Sequence, residues 1–334
     1  MYSYEKRFRV AAAALLCTLG TRLAACSAGA AEFLTRPDVT AFLVYLQTGR
    51  DLRTVMDMEF GVDFVESAPA ATLPPAATLP PEPAPPETEP AEPVSASEIQ
   101  VYNSCGLQPD LQELLERPLE FADTDGAPMV LILSTHATES YRRGAESYAE
   151  SSEYRTLDPE YNMLSIGARV AELLEARGIG VLQDKTIHDY PSYNGSYSHA
   201  RKTIQACLKE HPTIQLILDL HRDAADSCGT QLRTRATVDG QDSAQLMLVM
   251  GTDSGGLKHD HWERNLSLAL KLQVLLENLA PGITRPLSLR AQRFNQDLSP
   301  GALLVEVGAA GNTRQEALRA AEVLAEAIGQ LIEN

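Results

Sequence analysis

Cysteine is scarce in this chain, and its number is odd. Five cysteines are spread over 334 residues with no CxxC pair among them, which argues against a thiolate zinc site and against a disulfide framework. Cys17 and Cys26 fall in an apolar N-terminal segment; Cys105, Cys207 and Cys228 remain and are expected as small buried residues. Positive charge is also in deficit, with 28 Lys and Arg against 45 Asp and Glu and a formal charge of -17. Nucleic acid, itself a polyanion, would be repelled and is not expected as a partner. No GxSxG elbow occurs, which leaves a serine hydrolase built on His221 and Asp223 with little support. The N-terminal apolar stretch from Val10 to Gly20 has eleven residues, short of the roughly twenty a membrane helix needs.

What is present falls into four stretches. In residues 1–31, Lys6, Arg7 and Arg9 precede that apolar stretch and small residues follow through Ala31, the layout of an export signal or membrane anchor. Leu23-Ala24-Ala25-Cys26 has the form of a lipoprotein processing site, interrupted by Arg22 just before it. Cleavage, lipidation and retention as a tether all stay open. Residues 32–66 read as a short helical region. Residues 67–98 are dominated by Ala, Pro, Glu and Thr, a composition that favours an extended linker because proline forbids helix interiors and no aromatic seeds a core.

From residue 99 to 334 the pattern changes to one α/β domain. Aliphatic runs MVLIL (129–133), GIGVLQD (178–184), TIQLILDL (213–220), QLMLVMG (245–251) and ALLVEVG (302–308) alternate with amphipathic segments. Met163, Ile166, Val170 and Leu173/Leu174 recur at helical spacing, with Gly178 as a stop. Residues 262–279 and 313–332 repeat the pattern, the second opening on the capping-box pair Thr313 and Glu316. Aliphatic strands without alternation, each followed by a helix, predict a single three-layer domain with a mostly parallel central sheet flanked by helices.

The strand ends carry the polar residues. His136 and Glu139 follow the first run, Asp219-Leu220-His221-Arg222-Asp223 ends the third, and Glu306 stands between Val305 and Val307 in the last. Ligands of open α/β sheets bind at the carboxyl ends of strands. A single histidine there is more often a hydrogen-bonded structural residue, but a carboxylate inside an aliphatic strand needs a partner or a purpose. HxxE, a distant histidine and a late glutamate match a two-His-one-Glu zinc site with a separate base, a spacing also found in zinc carboxypeptidases. In such a site Glu306 suits the base, while Arg222 or Asp223 could orient His221 or meet substrate charge. His259 and His261 at a helix start are expected at the surface, and His199 and His211 as ordinary residues.

Taken together, LILSTHATESY (131–141), IHDYPSYNGSYSHAR (187–201), DLHRDAAD (219–226), HWERNLSLALKLQ (261–273) and RFNQDLSPGALLVEVGAAGNTRQEA (293–317) resemble the stage II sporulation protein P family, in order, over residues 99–334. The resemblance implies the fold of zinc-dependent cell-wall amidases and an N-acetylmuramoyl-L-alanine amidase, with endopeptidase activity on peptide crosslinks also attributed to the family. It implies tethering on the outer face of the cytoplasmic membrane at the sporulation septum, peptidoglycan as substrate, septal thinning during engulfment, and stage II sporulation proteins D and M as partners. By motif, His136 and His221 would be Zn2+ ligands and Glu306 the base. Glu139 would be the third ligand, with Glu150 or Glu153 as alternatives. His188, Tyr193 and Asn194 would line the substrate groove, or His188 would serve a loop. Ser134 stands where the family leads one to expect another histidine. A peptidoglycan-binding scaffold without catalysis is the alternative from another class, and the retained Glu306 speaks against it.

Overall fold

The computed structural model describes residues 99–142, 154–224, 226–227 and 230–333. The expected export segment, helical region and linker, together with Glu150, Glu153 and Cys228, lie outside those residues. The first half of the domain runs β1 (Val101–Asn103), α1 (Leu111–Glu116), β2 (Val130–Leu133), α2 (Met163–Ala176), β3 (Val181–Gln183), α3 (Ser196–Glu210) and β4 (Leu216–Asp223). Two short pairings follow, β5 (Asp226–Ser227) with β6 (Thr230–Gln231) and β7 (Ala236–Val238) with β8 (Gln241–Ser243). The second half is β9 (Leu246–Gly251), α4 (Trp262–Leu279), β10 (Leu287–Arg290), β11 (Ala302–Ala309) and α5 (Arg314–Glu333).

The seven-stranded sheet has the order β1-β10-β9-β11-β4-β2-β3. Strands β3, β2, β4 and β11 are mutually parallel. β9 pairs antiparallel with β11, and β10 and β1 follow the direction of β9. The sheet is therefore mostly parallel, as the aliphatic runs predict, but QLMLVMG enters it in reverse. A run buried on both faces looks the same in either direction, so its periodicity holds no information on polarity. β1 and β10 go unannounced in the sequence because one has three residues and the other, LSLR, carries a serine in the middle.

Helix ends follow the local chemistry. Asn162 caps α2 by accepting from Leu164 N, and Gly178 takes φ 81° just past its end, where Ile179 N donates to Leu174 O. At α5, Thr313 Oγ1 accepts from Glu316 N while Glu316 Oε2 accepts from Thr313 N, so the predicted capping box forms. Helix α3 leaves no periodic signal in the sequence: of its fifteen residues only Ser196, Ala200 and Ile204 are buried, too thin a stripe to show. Cys105 and Cys207 are only partly buried, against expectation. None of the helices among the described residues is long and apolar enough to cross a membrane.

Alternation along the strands sorts the core into two unequal halves. Val130, Ile132, Leu216, Leu218, Leu220, Leu303, Val305 and Val307 pack with residues of α1, α2, α4 and α5 in the large cluster. Leu131, Leu133, Ile217 and Ala302 face the other way, toward Ala200 and Ile204 of α3, and Met247, Val249 and Leu304 pack with Phe294. By the period of two, Asp219 and His221 lie on the same face as Ile217, and Glu306 on the same face as Leu304. The thinly covered face thus carries Asp219, His221 and Glu306.

Candidate functional site

His136 and Glu139 occupy a turn directly after β2, closed by Glu139 N donating to His136 O at 3.0 Å. The sheet brings the remaining residues to them. Glu306 of β11 pairs in register with His221 of β4, and Leu133 of β2 with Asp219. The imidazoles of His136 and His221 stand edge to face with ring centroids 5.2 Å apart. His221 Nδ1 lies 3.6 Å from Glu139 Oε2, and its Nε2 lies 3.0 Å from Asp219 Oδ1. The second approach is off the hydrogen-bond axis, since Nε2 has no hydrogen-bond partner, so it is charge attraction rather than a directed bond.

Charge states follow from these neighbours. Burial alone would lower the pKa of His221, but Asp219 and Glu139 outweigh it and hold the value well above that of a free imidazole. Burial would raise Glu139; the nearby His221 and the charges of Arg222 and His136 instead bring it down to about 2. Asp219 is lowered against its burial by His221 and by Thr135, whose N and Oγ1 both donate to it. His136 is lowered to about 4 by burial, which outweighs the opposing charge of Glu139. Glu306 goes the other way. Burial pushes it up to about 8, Asp223 and Glu139 add to the rise, and His221 and Arg285 oppose it.

Arg222 and Asp223 do different work. Arg222 is buried; its N donates to Glu139 Oε2 at 3.1 Å, its Nε to Ser140 O and its Nη2 to Tyr154 O. It ties β4 to the turn and fixes Glu139. Asp223 accepts from Arg285 Nη1 at 2.8 Å. Tyr193 stacks on His136 at 4.5 Å and is 52% exposed, a position open to a ligand. His188 is behind the site, its two ring nitrogens placed on Ser134 O and Thr203 Oγ1, so it serves the loop and does not face the groove. Asn194 is exposed and contributes its carbonyl to Ser192 Oγ. His259, expected at the surface, is 1% exposed with both ring nitrogens unpartnered. The helix start places its polar neighbours outside and turns this ring inward.

Several contributors escape a reading of the sequence. Asp189 accepts from Thr138 N and Oγ1 and from Arg155 Nη1, the last at 2.7 Å. Arg155 in turn reaches Glu139 Oε1 at 3.4 Å and lies 4.7 Å over the Tyr193 ring. Tyr197 borders both imidazoles, edge-on to His136 and stacked with His221. In the sequence Asp219 stands out only as a neighbour of His221. The signal available for Asp189 was its place in IHDYP, but nothing local says which turn it clamps.

Two imidazoles and a carboxylate are the donors zinc prefers. His136 Nδ1, His221 Nε2 and Glu306 Oε2 are buried without hydrogen-bond partners, an expense that a bound cation would relieve. The donor chemistry fits the ion. Among the described residues, no group of three or more His, Cys, Asp or Glu converges closely enough to enclose a metal. Glu150 and Glu153 lie outside that set.

The profile of stage II sporulation protein P (SpoIIP) matches residues 80–329. The chain belongs to that family. The family's stage II sporulation protein P of Bacillus subtilis (strain 168) is 28% identical over 221 residues, covering 62% of this chain and 52% of the relative. The chain thus matches about half the length of that curated relative. Among solved structures, N-acetylmuramoyl-L-alanine amidase AmiC2 of Nostoc punctiforme matches 62% of this chain and 97% of its own, at 16% identity and a TM-score of 0.36. The CwlD amidase from Clostridioides difficile, in complex with the GerS lipoprotein, matches 61% and 96% at 16% identity and a TM-score of 0.37.

Proposed function

We propose that this chain is a zinc-dependent peptidoglycan amidase that cleaves between N-acetylmuramic acid and the L-alanine of the stem peptide. The observation that supports it is a pair of buried atoms without hydrogen-bond partners, His136 Nδ1 in the turn after β2 and Glu306 Oε2 on β11, beside His221 and Glu139. His136, His221 and Glu139 would hold the ion. When bound, zinc supplies Lewis acidity toward the amide carbonyl and makes water acidic near neutrality.

The residues do the rest. Glu306, on β11 in register with His221, would take the proton of the attacking water and hand it to the leaving amine. Asp219 attracts the His221 imidazole by its charge. Arg222 and Arg155 fix the Glu139 carboxylate from backbone and side chain. Tyr193 and Tyr197 flank His136 and limit water around it.

Membership of the family supports a role in sporulation, and the reading extends to septal thinning during engulfment, cleavage of peptide crosslinks, and partnership with stage II sporulation proteins D and M. The basic and apolar N-terminus supports export and tethering at the outer face of the cytoplasmic membrane.

The test is incubation of the purified chain with peptidoglycan, with and without chelator, and identification of released fragments by mass spectrometry. Free stem peptides and peptide-free glycan are expected, both lost with chelator. Glu306→Gln should lower the rate by about 10²–10⁴ without abolishing zinc uptake. Zinc uptake without release of any fragment would support the binding scaffold instead. No zinc uptake would sink the proposal.

A further inference from the structure

Beside the candidate site runs a groove of about 460 Å³ whose wall includes Tyr197, Arg201, Leu257, Arg293, Phe294 and Asn295. Tyr197 belongs to both, since it also borders His136 and His221. Phe294 faces Tyr197 at 5.9 Å. In a chain of net charge -17, none of the described residues lining this groove is acidic. Beneath it Arg201 and Arg293 share one carboxylate: Arg201 grips Asp297 through both nitrogens at 2.8 and 2.7 Å, and Arg293 reaches it at 3.1 Å. Two guanidiniums on one carboxylate leave that group with one net positive charge.

The wall is held in an unfavourable backbone. Phe294 and Asn295 take φ 49° and 59°, the left-handed region that a bulky aromatic rarely adopts. Asn295 Nδ2 donating to Tyr197 O at 2.8 Å, and Arg201 donating to Asn295 Oδ1, fasten this bend to the start of α3. The result presents an aromatic ring and the 59% exposed Leu257 along a cationic floor.

We propose that this groove is the subsite for the stem peptide, reading a free carboxylate of the peptide through Arg293. The inference rests on the amidase reading, which sets the two arms a substrate can extend from the scissile bond. The glycan arm is uncharged, because the carboxyl of its lactyl group is consumed in the amide that is cut. The peptide arm carries free carboxylates and methyl side chains. A groove with net positive charge and no acidic lining complements the carboxylates of the second arm, and the first arm has no charge for it to meet.

The experiment uses the full chain, treated with chelator so that binding is read without turnover. The probes are the tripeptide L-Ala-γ-D-Glu-L-Lys, the same peptide with its carboxylates amidated, and peptide-free glycan, titrated by calorimetry. Arg293→Gln keeps the length of the side chain and removes its charge, and Leu257→Ser changes an exposed residue that no core packing needs. Arg293→Gln should weaken the tripeptide about tenfold, the scale of a charge-assisted contact. Amidating the peptide should cost wild type the same factor and the variant nothing further. Leu257→Ser should weaken both peptides alike. Glycan binding should not change. Unchanged tripeptide binding in Arg293→Gln, or a loss seen with glycan in place of peptide, overturns the proposal. Charge-coupled peptide binding in a chain that releases no fragments from peptidoglycan would leave this subsite standing while the amidase reading fell.

Discussion

Glu306 stands between two valines on a buried strand, and its carboxyl titrates far from its ordinary range because burial disfavours the charged form. Its folded pKa, about 8, lies above the unfolded value of 4.5. The proton is therefore bound more tightly in the folded state. The stability this contributes is full below about pH 4.5 and is lost as pH rises through about 8. Metal-free wild type should lose stability across that window relative to Glu306→Gln, by a few kcal/mol at most. Thermal melts of both proteins at pH 5, 7 and 9 check it; parallel pH profiles would contradict the assignment. Asp189 makes the second prediction at this scale. Asp189→Ala removes the acceptor shared by Thr138 and Arg155 and should destabilise the chain by about 2 kcal/mol, less than a fully buried pair because Arg155 is partly exposed. Urea unfolding measures the loss.

At the scale of elements, the β4–β11 pairing sets the site, because it puts Glu306 next to His221. Gly301 starts that pairing at very close range. A Cβ there would meet Gln215 O at 2.0 Å, so Gly301→Ala must push β11 away from β4. We expect a loss of about 1–3 kcal/mol, read as a lower urea midpoint with an unchanged slope. Activity should fall by more than stability explains, as Glu306 shifts relative to His221. Much at this scale is legible in the sequence. The helices over 262–279 and 313–332, the Thr313–Glu316 box and the stop at Gly178 all rest on interactions within a few residues, and each forms. Helix α3 and the strands β1 and β10 do not show, because their apolar content is too small or too short to make a period.

For the whole molecule, the proposed ion is a folding ligand. If His136, His221 and Glu139 bind zinc only when folded, zinc at about a hundredfold its Kd stabilises by about 2.7 kcal/mol. For a domain of this size that raises Tm by roughly 5–10 °C, an increase that chelator removes and His136→Ala abolishes. Scanning calorimetry reads it independently of any enzymatic activity. A chain whose Tm ignores zinc would contradict the donor assignment. The same measurement separates the roles of the histidines, since His188→Gln should keep the zinc response while lowering Tm through its lost loop contacts.

The sequence by itself determined the residue types, the local elements and the face each strand residue takes, because hydrophobic periodicity, caps and alternation act over a handful of neighbours. It put His136, Glu139, His221 and Glu306 at strand ends or within a strand, and their order among the other motifs carried the family resemblance. Only the tertiary structure decided which of them meet. Strand order, the reversal of β9, the clamp of Asp189 on Thr138 and the burial of His259 arise from contacts far apart in the chain. Those contacts follow from how layers pack around a shared core, a cooperative choice that no short stretch of sequence can encode alone.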